Sequence, residues 1–248
     1  MKILVINPNA SAAMTGEIER AAREVASSGT QIIAVNPADG PESIEGHYDD
    51  VYAAVGVLEC IRRHEGEGID AYLIACGNDP ALAAAREMVR APVLGIGEAA
   101  MHVATMLGGH FSVITTLART NVQLEDNVLR YGMSHACRSV RDVSLPVLGL
   151  EGDEAYGKMR DVIVDAIEND AAETIVLACA GMAAMAKRLS EELSIPVIDG
   201  VQGGVRLLEA LVGLGAATTK IRSFAPPGAK TYRGAFAYAA PGARPANE

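Results

Sequence analysis

Short apolar runs rich in Val, Ile and Leu alternate with longer stretches rich in Ala, Glu and Arg along the chain. The short runs are apolar at consecutive positions, which is typical of parallel strands covered on both faces. Strands that alternate with helical stretches are typical of βαβ units in an α/β fold. We therefore predict strands over 2–7, 31–36, 71–76, 92–96, 111–116, 139–145, 174–179 and 196–199, with helices over roughly 11–27, 48–64, 80–90, 98–107, 119–131, 153–169, 182–193 and 202–213.

The order of these runs repeats within the chain. The run 71–76 ends in Cys76 and the run 174–179 ends in Cys179, an offset of 103 residues (179 − 76). Other matched pairs lie at offsets of 104, 108 and 109 residues, namely Pro92 with Pro196, Val5 with Val113, and Pro37 with Pro146. The near-constant offset predicts an α/β fold with two similar lobes, each a four-stranded parallel sheet flanked by helices. Pseudo-twofold symmetry would relate the lobes and place the active site between them.

The repeat also sets the expected lobe boundaries. The second half begins near residue 98 and ends near residue 203. We expect residues 1–97 and 204–248 to form the first α/β lobe and residues 98–203 the second, with the last helix returning to the first lobe. From Ala225 onward the chain is rich in Pro, Gly and Ala, which predicts an irregular tail with frayed ends.

Composition and charge narrow the class of protein. Half of the 248 residues are hydrophobic, so the chain can bury a substantial core. The formal charge is −10 and no run of basic residues is present, which argues against nucleic acid as a partner. No apolar run is long enough to span a membrane, and the N-terminal one is too short for a signal peptide. We expect a cytoplasmic protein without a membrane partner, whose four cysteines are reduced.

Cys76 and Cys179 are the strongest candidates for chemistry. Each ends a predicted strand, at the edge where ligands bind in open parallel sheets. Each also precedes a helix, whose N–H groups and dipole lower a thiol pKa. A lone cysteine after an apolar run is most often a buried hydrophobic residue, but a pair matched across a repeat favours a shared role. Two thiols on opposite faces of one carbon can act as acid and base.

The other cysteines have no partner at the repeat offset. Cys60 lies within a predicted helix and is expected to pack in the core, whereas Cys137 is expected in a loop without a role. No Cys-x-x-Cys or Cys/His spacing points to a metal. His47 and His102 also lack ligand partners at metal spacing, and a surface or helix-entry position is expected for His47.

Polar and small residues follow the same strand ends. Asn9 could bind a ligand, although Asn9 or Ser11 could instead cap the next helix. Thr115 and Thr116 occupy the equivalent place in the second half, where their hydroxyls suit a polar ligand, although threonine is also common in strands. Four further residues offer backbone N–H groups to a developing oxyanion, or belong to ordinary strand-to-helix turns: Gly77, Asn78, Ala180 and Gly181.

The segment Gly95–Ala100 fits a loose G-x-G-x-x-A pattern that opens a helix after a strand. A dinucleotide fingerprint would lie on the first strand, and an acidic residue would end the next strand to bind a ribose. Here the next strand ends in threonines, so the pattern is a weak indication of a nucleotide.

With these residues in hand, the chain resembles the Asp/Glu/hydantoin racemase superfamily, and within it the hydantoin and allantoin racemase branch. The resemblance spans about the first 200 residues in order. It is carried by Ile6–Asn9, Val35–Pro37, Ser43–His47, Ile74–Cys76, Asp79–Pro80, Phe111–Thr116, Leu145–Pro146, Val176–Met182 and Val197–Gly200.

The resemblance implies a racemase that needs no cofactor, acts on a small-molecule substrate and assembles as a homo-oligomer. Its two catalytic cysteines map onto Cys76 and Cys179, and substrate contacts map onto the Asn9 region, onto Thr115-Thr116 and onto the backbone amides after each cysteine. This chain departs from the expected pattern at Gly77-Asn78, where a bulky aromatic residue is expected, and the change alters the pocket wall.

Other functions stay open on the sequence. An aspartate/glutamate racemase or a maleate-type isomerase of the same superfamily is one alternative, but a pocket with few side-chain donors suits a neutral ring better than an amino carboxylate. Arylmalonate decarboxylases of this superfamily use one cysteine, which argues against that branch. A non-catalytic two-lobe binding protein would explain the duplication, but not a thiol at the same place in both lobes.

Overall fold

The computed structural model describes residues 1–241 and contains two parallel four-stranded sheets. The first sheet has the strand order β2-β1-β3-β4 and the second has the order β6-β5-β7-β8, so the two sheets share one topology. The strands are β1 Lys2–Ile6, β2 Gln31–Val35, β3 Ala71–Ile74, β4 Val93–Gly95, β5 Phe111–Thr115, β6 Cys137–Asp142, β7 Thr174–Leu177 and β8 Val197–Asp199.

Helices connect successive strands, as the predicted βαβ pattern requires. They are α1 Ala12–Val25, α2 His47–Arg63, α3 Leu82–Met88, α4 Ile96–Leu107, α5 Asn121–Arg130, α6 Gly152–Asp170, α7 Ala183–Leu193 and α8 Gly200–Gly213. The two-lobe α/β fold expected from the repeat is confirmed, and within residues 1–241 no helix is long and apolar enough to cross a bilayer.

The register of the strands places the two cysteines in equivalent positions. Ile6 of β1 pairs with Ile74 of β3, and Ile114 of β5 pairs with Leu177 of β7. Cys76 and Cys179 each lie two residues beyond those pairs, at the carboxyl ends of central strands. The turns that follow also match, because the N–H of Asp79 donates to the Cys76 carbonyl and that of Met182 to the Cys179 carbonyl, each at 3.0 Å.

Helices cover both faces of each sheet, and two of them change lobes. The core of the first sheet packs against α1 and α8 on one face and against α2 and α3 on the other. The core of the second sheet packs against α4 and α5 on one face and against α6 and α7 on the other. Thus α4, which follows the last strand of the first sheet, packs on the second sheet, while α8 returns to the first. On this packing we propose the lobe boundaries 1–97 plus 204–248 and 98–203.

Several predicted boundaries are wrong. The sixth strand begins at Cys137, so this residue is in β6 rather than in a loop. The chain leaves the sheet after Asp142 and turns at Ser144, whose φ is +54°, so the predicted extension to residue 145 does not form. Helices α4 and α8 begin at Ile96 and Gly200, earlier than expected, because each strand end is itself the helix cap.

The C-terminal segment is irregular, with short 3-10 turns at Arg222–Phe224 and Gly234–Ala239. The guanidinium of Arg62 lies 4.4 Å from the ring centre of Tyr238, which holds this tail against α2. The expectation of frayed ends extends to residues 242–248, which lie outside the described residues. Cys60 is buried in the core between α2 and the first sheet, so the expected packing role is confirmed.

Candidate active site

The two cysteines line one cavity at the interface between the lobes. Cys76 enters it from the turn after β3, and Cys179 enters it from the turn after β7. The cavity measures about 30 Å³, room for little more than a water molecule. Among the residues predicted to form the site, those that line the cavity are Cys76, Cys179, Asn9, Gly77, Asn78, Thr115, Thr116 and Ala180.

The two cysteine-bearing turns are in direct contact. A Cβ atom placed on Gly77 would lie 1.9 Å from the carbonyl oxygen of Ala178 and 2.6 Å from its carbonyl carbon. No side chain fits there unless the backbone moves. The departure seen in the sequence at position 77 therefore has a steric reason, because glycine lets the first turn approach the backbone beside Cys179.

Burial dominates the electrostatics of both thiols. It raises the pKa of Cys179 to about 11 and that of Cys76 well above its usual range. The backbone N–H of Asn78 beside Cys76, and that of Gly181 beside Cys179, oppose this rise of each thiol pKa. The N–H groups lower each thiol pKa, as expected. The expectation of a lowered net pKa is nevertheless wrong, because desolvation raises each pKa by more than the N–H groups lower it.

Each thiol also has an acidic neighbour. The negative charge of Asp50 raises the pKa of Cys76, and that of Glu45 raises the pKa of Cys179. Cys179 itself raises the pKa of Cys76, because a thiolate on one residue disfavours a thiolate on the other. The site therefore favours one thiolate and one thiol over two thiolates.

An asparagine network holds the loop after β1. Asn7 donates to Asn9 Oδ1 at 2.7 Å and to Thr15 Oγ1 at 3.0 Å, and Asn9 Oδ1 also accepts from the Ser11 N–H at 2.9 Å. Ser11 caps α1 by accepting from the Met14 N–H, so the cap is Ser11 rather than Asn9. Asn9 lines the cavity, and so does Asn7, which was not among the predicted site residues although it directly follows β1.

Hydroxyl groups form the opposite side of the cavity. Thr115 Oγ1 and Thr120 Oγ1 are 3.0 Å apart, and Thr120 Oγ1 also donates to the Leu117 carbonyl at 2.7 Å. A hydroxyl group has only one hydrogen to donate. Because Thr120 donates its hydrogen to the Leu117 carbonyl, Thr115 is the donor in the hydrogen bond between the two threonines. Thr115 therefore offers only acceptor lone pairs to a ligand. Thr120 lines the cavity but was missed, because it belongs to a turn and not to a strand end.

Apolar residues from both lobes close the cavity. Met14, Ile44 and Val147 line it, and the Val147 N–H donates to Glu45 Oε1 at 3.0 Å. This hydrogen bond joins the loop before α2 to the loop after β6, so the two lobes meet over the thiols. Ile44 lies in the segment Ser43–His47 that carries the resemblance, whereas Met14 and Val147 carry no sequence signal for a site, because they reach the cavity only when the lobes pack.

The glycine-rich segment Gly95–Ala100 does not form a phosphate cradle. Asp79 accepts from the Gly97 N–H at 2.9 Å, from the Glu98 N–H at 2.7 Å and from the Tyr131 hydroxyl at 2.7 Å. A Cβ on Gly95 would lie 2.0 Å from Asp79 Oδ1. The glycine therefore makes room for the protein's own carboxylate, which occupies the helix end that a phosphate would need.

Two remaining candidates lie apart from the thiol cavity. His47 is the first residue of α2, as its expected helix-entry position requires, and it lines a separate pocket. His102 lies within α4. Within residues 1–241, no group of three or more His, Cys, Asp or Glu side chains is arranged to hold a metal ion. Gly181 is adjacent to the cavity, where a Cβ on it would lie 3.8 Å from Cys179 Sγ.

Comparisons with known proteins extend over nearly the whole chain. The sequence profile of the Asp/Glu/hydantoin racemase family matches residues 3–208. A hydantoin racemase from Pseudomonas sp. (strain NS671) is 47% identical over 238 residues, which is 95% of this chain and 96% of that protein. An allantoin racemase from Klebsiella pneumoniae superimposes with a TM-score of 0.94 at 47% identity, over 97% of this chain and 99% of the other. An allantoin racemase from Pseudomonas fluorescens gives 0.91 at 38% identity, over 94% and 100%.

Proposed function

The chain belongs to the Asp/Glu/hydantoin racemase family and is an isomerase of the racemase type, and from that premise we propose that it racemises 5-substituted hydantoins or the related ureide allantoin. The observation that carries the proposal is the pair Cys76 and Cys179, brought by equivalent turns of the two lobes into one cavity. The names of the hydantoin racemase and of the allantoin racemases compared above favour these two kinds of substrate over the others of the family.

The mechanism follows from the acidity of the substrate carbon. That carbon lies between a ring nitrogen and a carbonyl group, so loss of its proton gives an enolate. One cysteine, as the thiolate, takes the proton from one face, and the other, as the thiol, delivers a proton to the opposite face. The two roles exchange for the other enantiomer. Positioned proton transfer of this kind accelerates a reaction by about 10²- to 10⁴-fold.

The electrostatics of the site support different protonation states for the two thiols. Since a charge on Cys179 raises the pKa of Cys76, ionisation of one thiol keeps the other protonated. A two-base racemase needs this state, with one proton acceptor and one proton donor at the same time. The substrate carbanion needs no organic cofactor, because its own carbonyl group holds the charge.

The lining of the cavity, which must widen to admit a substrate, favours a neutral ring over an amino dicarboxylate. No charged side chain lines it among the residues that the structure describes, and its polar wall consists of Asn7, Asn9, Asn78 and three threonines. A carboxylate substrate would lack a cationic partner there, and it would face the acidic groups Glu45 and Asp50 near the thiols. This argues against the aspartate/glutamate racemase and maleate isomerase alternatives.

A substrate panel tests the proposal. Dialysed protein, with EDTA present, is incubated with single enantiomers of 5-isobutylhydantoin, allantoin and aspartate, and with maleate, while optical rotation or circular dichroism is recorded. We expect the signal of a hydantoin or of allantoin to decay to zero and that of aspartate to persist. Decay of the aspartate signal alone, or isomerisation of maleate alone, would assign the protein to another branch of the family. No reaction with any substrate would favour the binding protein.

Two further expectations stay predictions. The homo-oligomer implied by the resemblance is tested by analytical ultracentrifugation, which would give a mass at a multiple of 25.9 kDa. The cytoplasmic location is tested by cell fractionation. All four cysteines are free thiols in the structure.

A further inference from the structure

A second, larger pocket lies beside the turn that carries Cys76. It measures about 390 Å³ and lies between the first turn of α2, the segment 78–84 and α5. Asn78 lines both this pocket and the thiol cavity, so the two spaces share a wall. The thiol cavity is far smaller, so a substituent on the substrate ring needs space outside it. The larger pocket is the adjoining space on the Cys76 side.

Asp50 is a residue of this pocket whose carboxylate is only partly satisfied by the protein, because the Asn78 side chain serves one of its oxygens and lowers its pKa. Its Oδ1 atom is buried and has no hydrogen-bond partner among the described residues. Burial raises the Asp50 pKa, and the neighbouring Asn78, His47 and Arg130 oppose that rise. A buried carboxylate oxygen without a donor costs free energy, so it is expected where a ligand supplies the donor.

The carboxylate is also close to the reacting thiol. The charge of Asp50 raises the pKa of Cys76 more than the charge of Cys179 does. Asn78 lies between the two groups, since it lines both the cavity that holds Cys76 and the pocket that holds Asp50, so a group bound to Asp50 would lie on the Cys76 side of the substrate.

The remaining polar groups fit an acceptor on the same ligand. Arg130 and Gln123 line the pocket on the side of α5, and Gln123 accepts from Asn78 through Oε1 at 3.4 Å. The Gln123 amide nitrogen and the Arg130 guanidinium are therefore the donors available there. One wall thus accepts N–H groups and the opposite wall donates to a carbonyl.

We propose that this pocket is a subsite for a urea-type substituent on the substrate ring, in which Asp50 accepts its N–H groups and Arg130 and Gln123 donate to its carbonyl. The inference rests on the proposed racemase function and deepens it. It makes the preferred substrate a ring that carries a ureido group, as in allantoin, instead of a hydantoin with an alkyl or aryl group. A paired N–H contact to a carboxylate is the strongest recognition that the pocket offers.

The test compares two substrates in matched variants of the full chain. Asp50→Asn keeps the shape of the side chain but loses the charge and one acceptor. Loss of the Asp50 charge lowers the pKa of Cys76 for both substrates alike, so the informative quantity is the ratio of kcat/KM for allantoin to kcat/KM for 5-isobutylhydantoin. We expect this ratio to fall by about 10- to 100-fold, as for loss of a hydrogen bond to a charged group, because an alkyl group makes no such bond. Asp161→Asn is the control, since Asp161 is exposed on α6 and lines neither this pocket nor the thiol cavity; it should affect neither substrate.

A binding measurement separates recognition from effects on the thiol. In the Cys76→Ser/Cys179→Ser variant, calorimetry should show allantoin binding that Asp50→Asn weakens. Equal losses of kcat/KM for both substrates, or unchanged allantoin binding, would overturn the subsite. So would a wild-type protein that racemises 5-isobutylhydantoin but not allantoin, although the racemase function would then stand. If the wild-type protein racemises neither substrate, the proposed racemase function itself is wrong.

Discussion

The turns that carry Cys76 and Cys179 occupy equivalent places but are supported differently. The second turn continues through the 3-10 helix Ala180–Met182 directly into α7. The first turn instead contains two non-glycine residues in the left-handed region, Asp79 (φ +53°) and Ala81 (φ +59°). Because left-handed backbone costs about 1 kcal/mol or more in a residue other than glycine, contacts elsewhere must hold this turn.

Those contacts come from α4, which packs on the second sheet, and from the end of α5. Asp79 accepts hydrogen bonds from the Gly97 and Glu98 N–H groups at the start of α4 and from Tyr131 just after α5, whereas the corresponding cap of α8 is made locally by Asp199. The comparison shows that duplication has kept the positions of the two thiols while the means of holding them have diverged. The position of Cys76 therefore depends on how the lobes pack, whereas the position of Cys179 is set by its local turn.

The largest expected effect tests whether the two thiols are equivalent in chemistry. Cys76→Ser and Cys179→Ser should each lower racemisation by about 10³-fold or more, because serine is a far poorer base at neutral pH. In D₂O each variant should still exchange the α-proton of one enantiomer, and the two variants should prefer opposite enantiomers. NMR of the recovered substrate measures this exchange.

Cys137→Ser is the matched control for these variants, since this half-buried cysteine at the edge of the second sheet is remote from the cavity. It should racemise at the wild-type rate. If both active-site variants exchange the same enantiomer, the thiols do not face opposite sides of the substrate, and a one-base enzyme replaces the proposed mechanism.

The second prediction concerns the glycines of the two turns. Gly77→Ala should lower kcat by about 10²-fold, because the new methyl group collides with the Ala178 backbone and displaces Cys76. Gly181→Ala makes one tight contact, with a Leu150 methyl group at 3.3 Å that can shift, and ordinary contacts with Cys179 Sγ and Met14, so its loss should be much smaller. Steady-state kinetics and thermal unfolding of both variants measure the difference. Equal losses would mean that the turns are equally constrained.

The third prediction compares the two capping carboxylates through pH. Burial raises the pKa of Asp79 to about 7 and that of Asp199 to about 6. The unfolded aspartate has a pKa of about 3.9, so between that value and the folded pKa the folded state holds a proton that the unfolded state has lost. Each carboxyl therefore contributes stability at low pH that is lost as pH rises through its folded pKa, by at most about 1.4 kcal/mol per pH unit.

Asp79→Asn should remove the decrease in the free energy of unfolding that Asp79 causes as pH rises to about 7. Asp199→Asn should remove the smaller decrease that Asp199 causes as pH rises to about 6. Urea unfolding at several pH values between 4 and 8 measures the free energy of unfolding of the wild type and of both variants. A difference in unfolding free energy between the wild type and Asp79→Asn that stays constant between pH 5 and pH 7 would instead show that Asp79 is ionised throughout, held so by its three donors.

The smallest expected effect lies in the reactivity of the thiols. The pKa of Cys179 is about 11 and that of Cys76 is higher, so at a given pH more Cys179 is in the thiolate form. Iodoacetamide should alkylate Cys179 faster and abolish activity, and the rate at both sites should rise with pH. Peptide mass spectrometry follows each site. Faster alkylation of Cys76 would contradict this order.

Particular residues show which parts of the fold and of the site can be predicted from the sequence. Apolar runs at a constant offset were enough to predict the two sheets and the shared position of Cys76 and Cys179, because these features repeat along the chain. The roles of Asp79 and of the Glu45–Val147 contact were not predicted, since each joins segments from different halves and has no counterpart at the repeat offset. Such contacts depend on lobe packing, which leaves no periodic signal.

The thiol pKa values illustrate a different limit. A cysteine before a helix predicts a lowered pKa, and the backbone N–H groups that cause this effect are present at Asn78 and Gly181. The depth of burial reverses the result, and depth is a property of the assembled lobes rather than of the local sequence.

The exchange of α4 and α8 between the sheets has a consequence for how the chain is made. During synthesis the first four strands emerge long before α8, which covers one face of their sheet. Only α1 covers that face until α8 has left the ribosome, so the first lobe cannot complete its core before the second lobe is present. The protein therefore acquires its fold and its paired thiols in one late step, and a half-length chain should be aggregation-prone instead of a smaller folded unit.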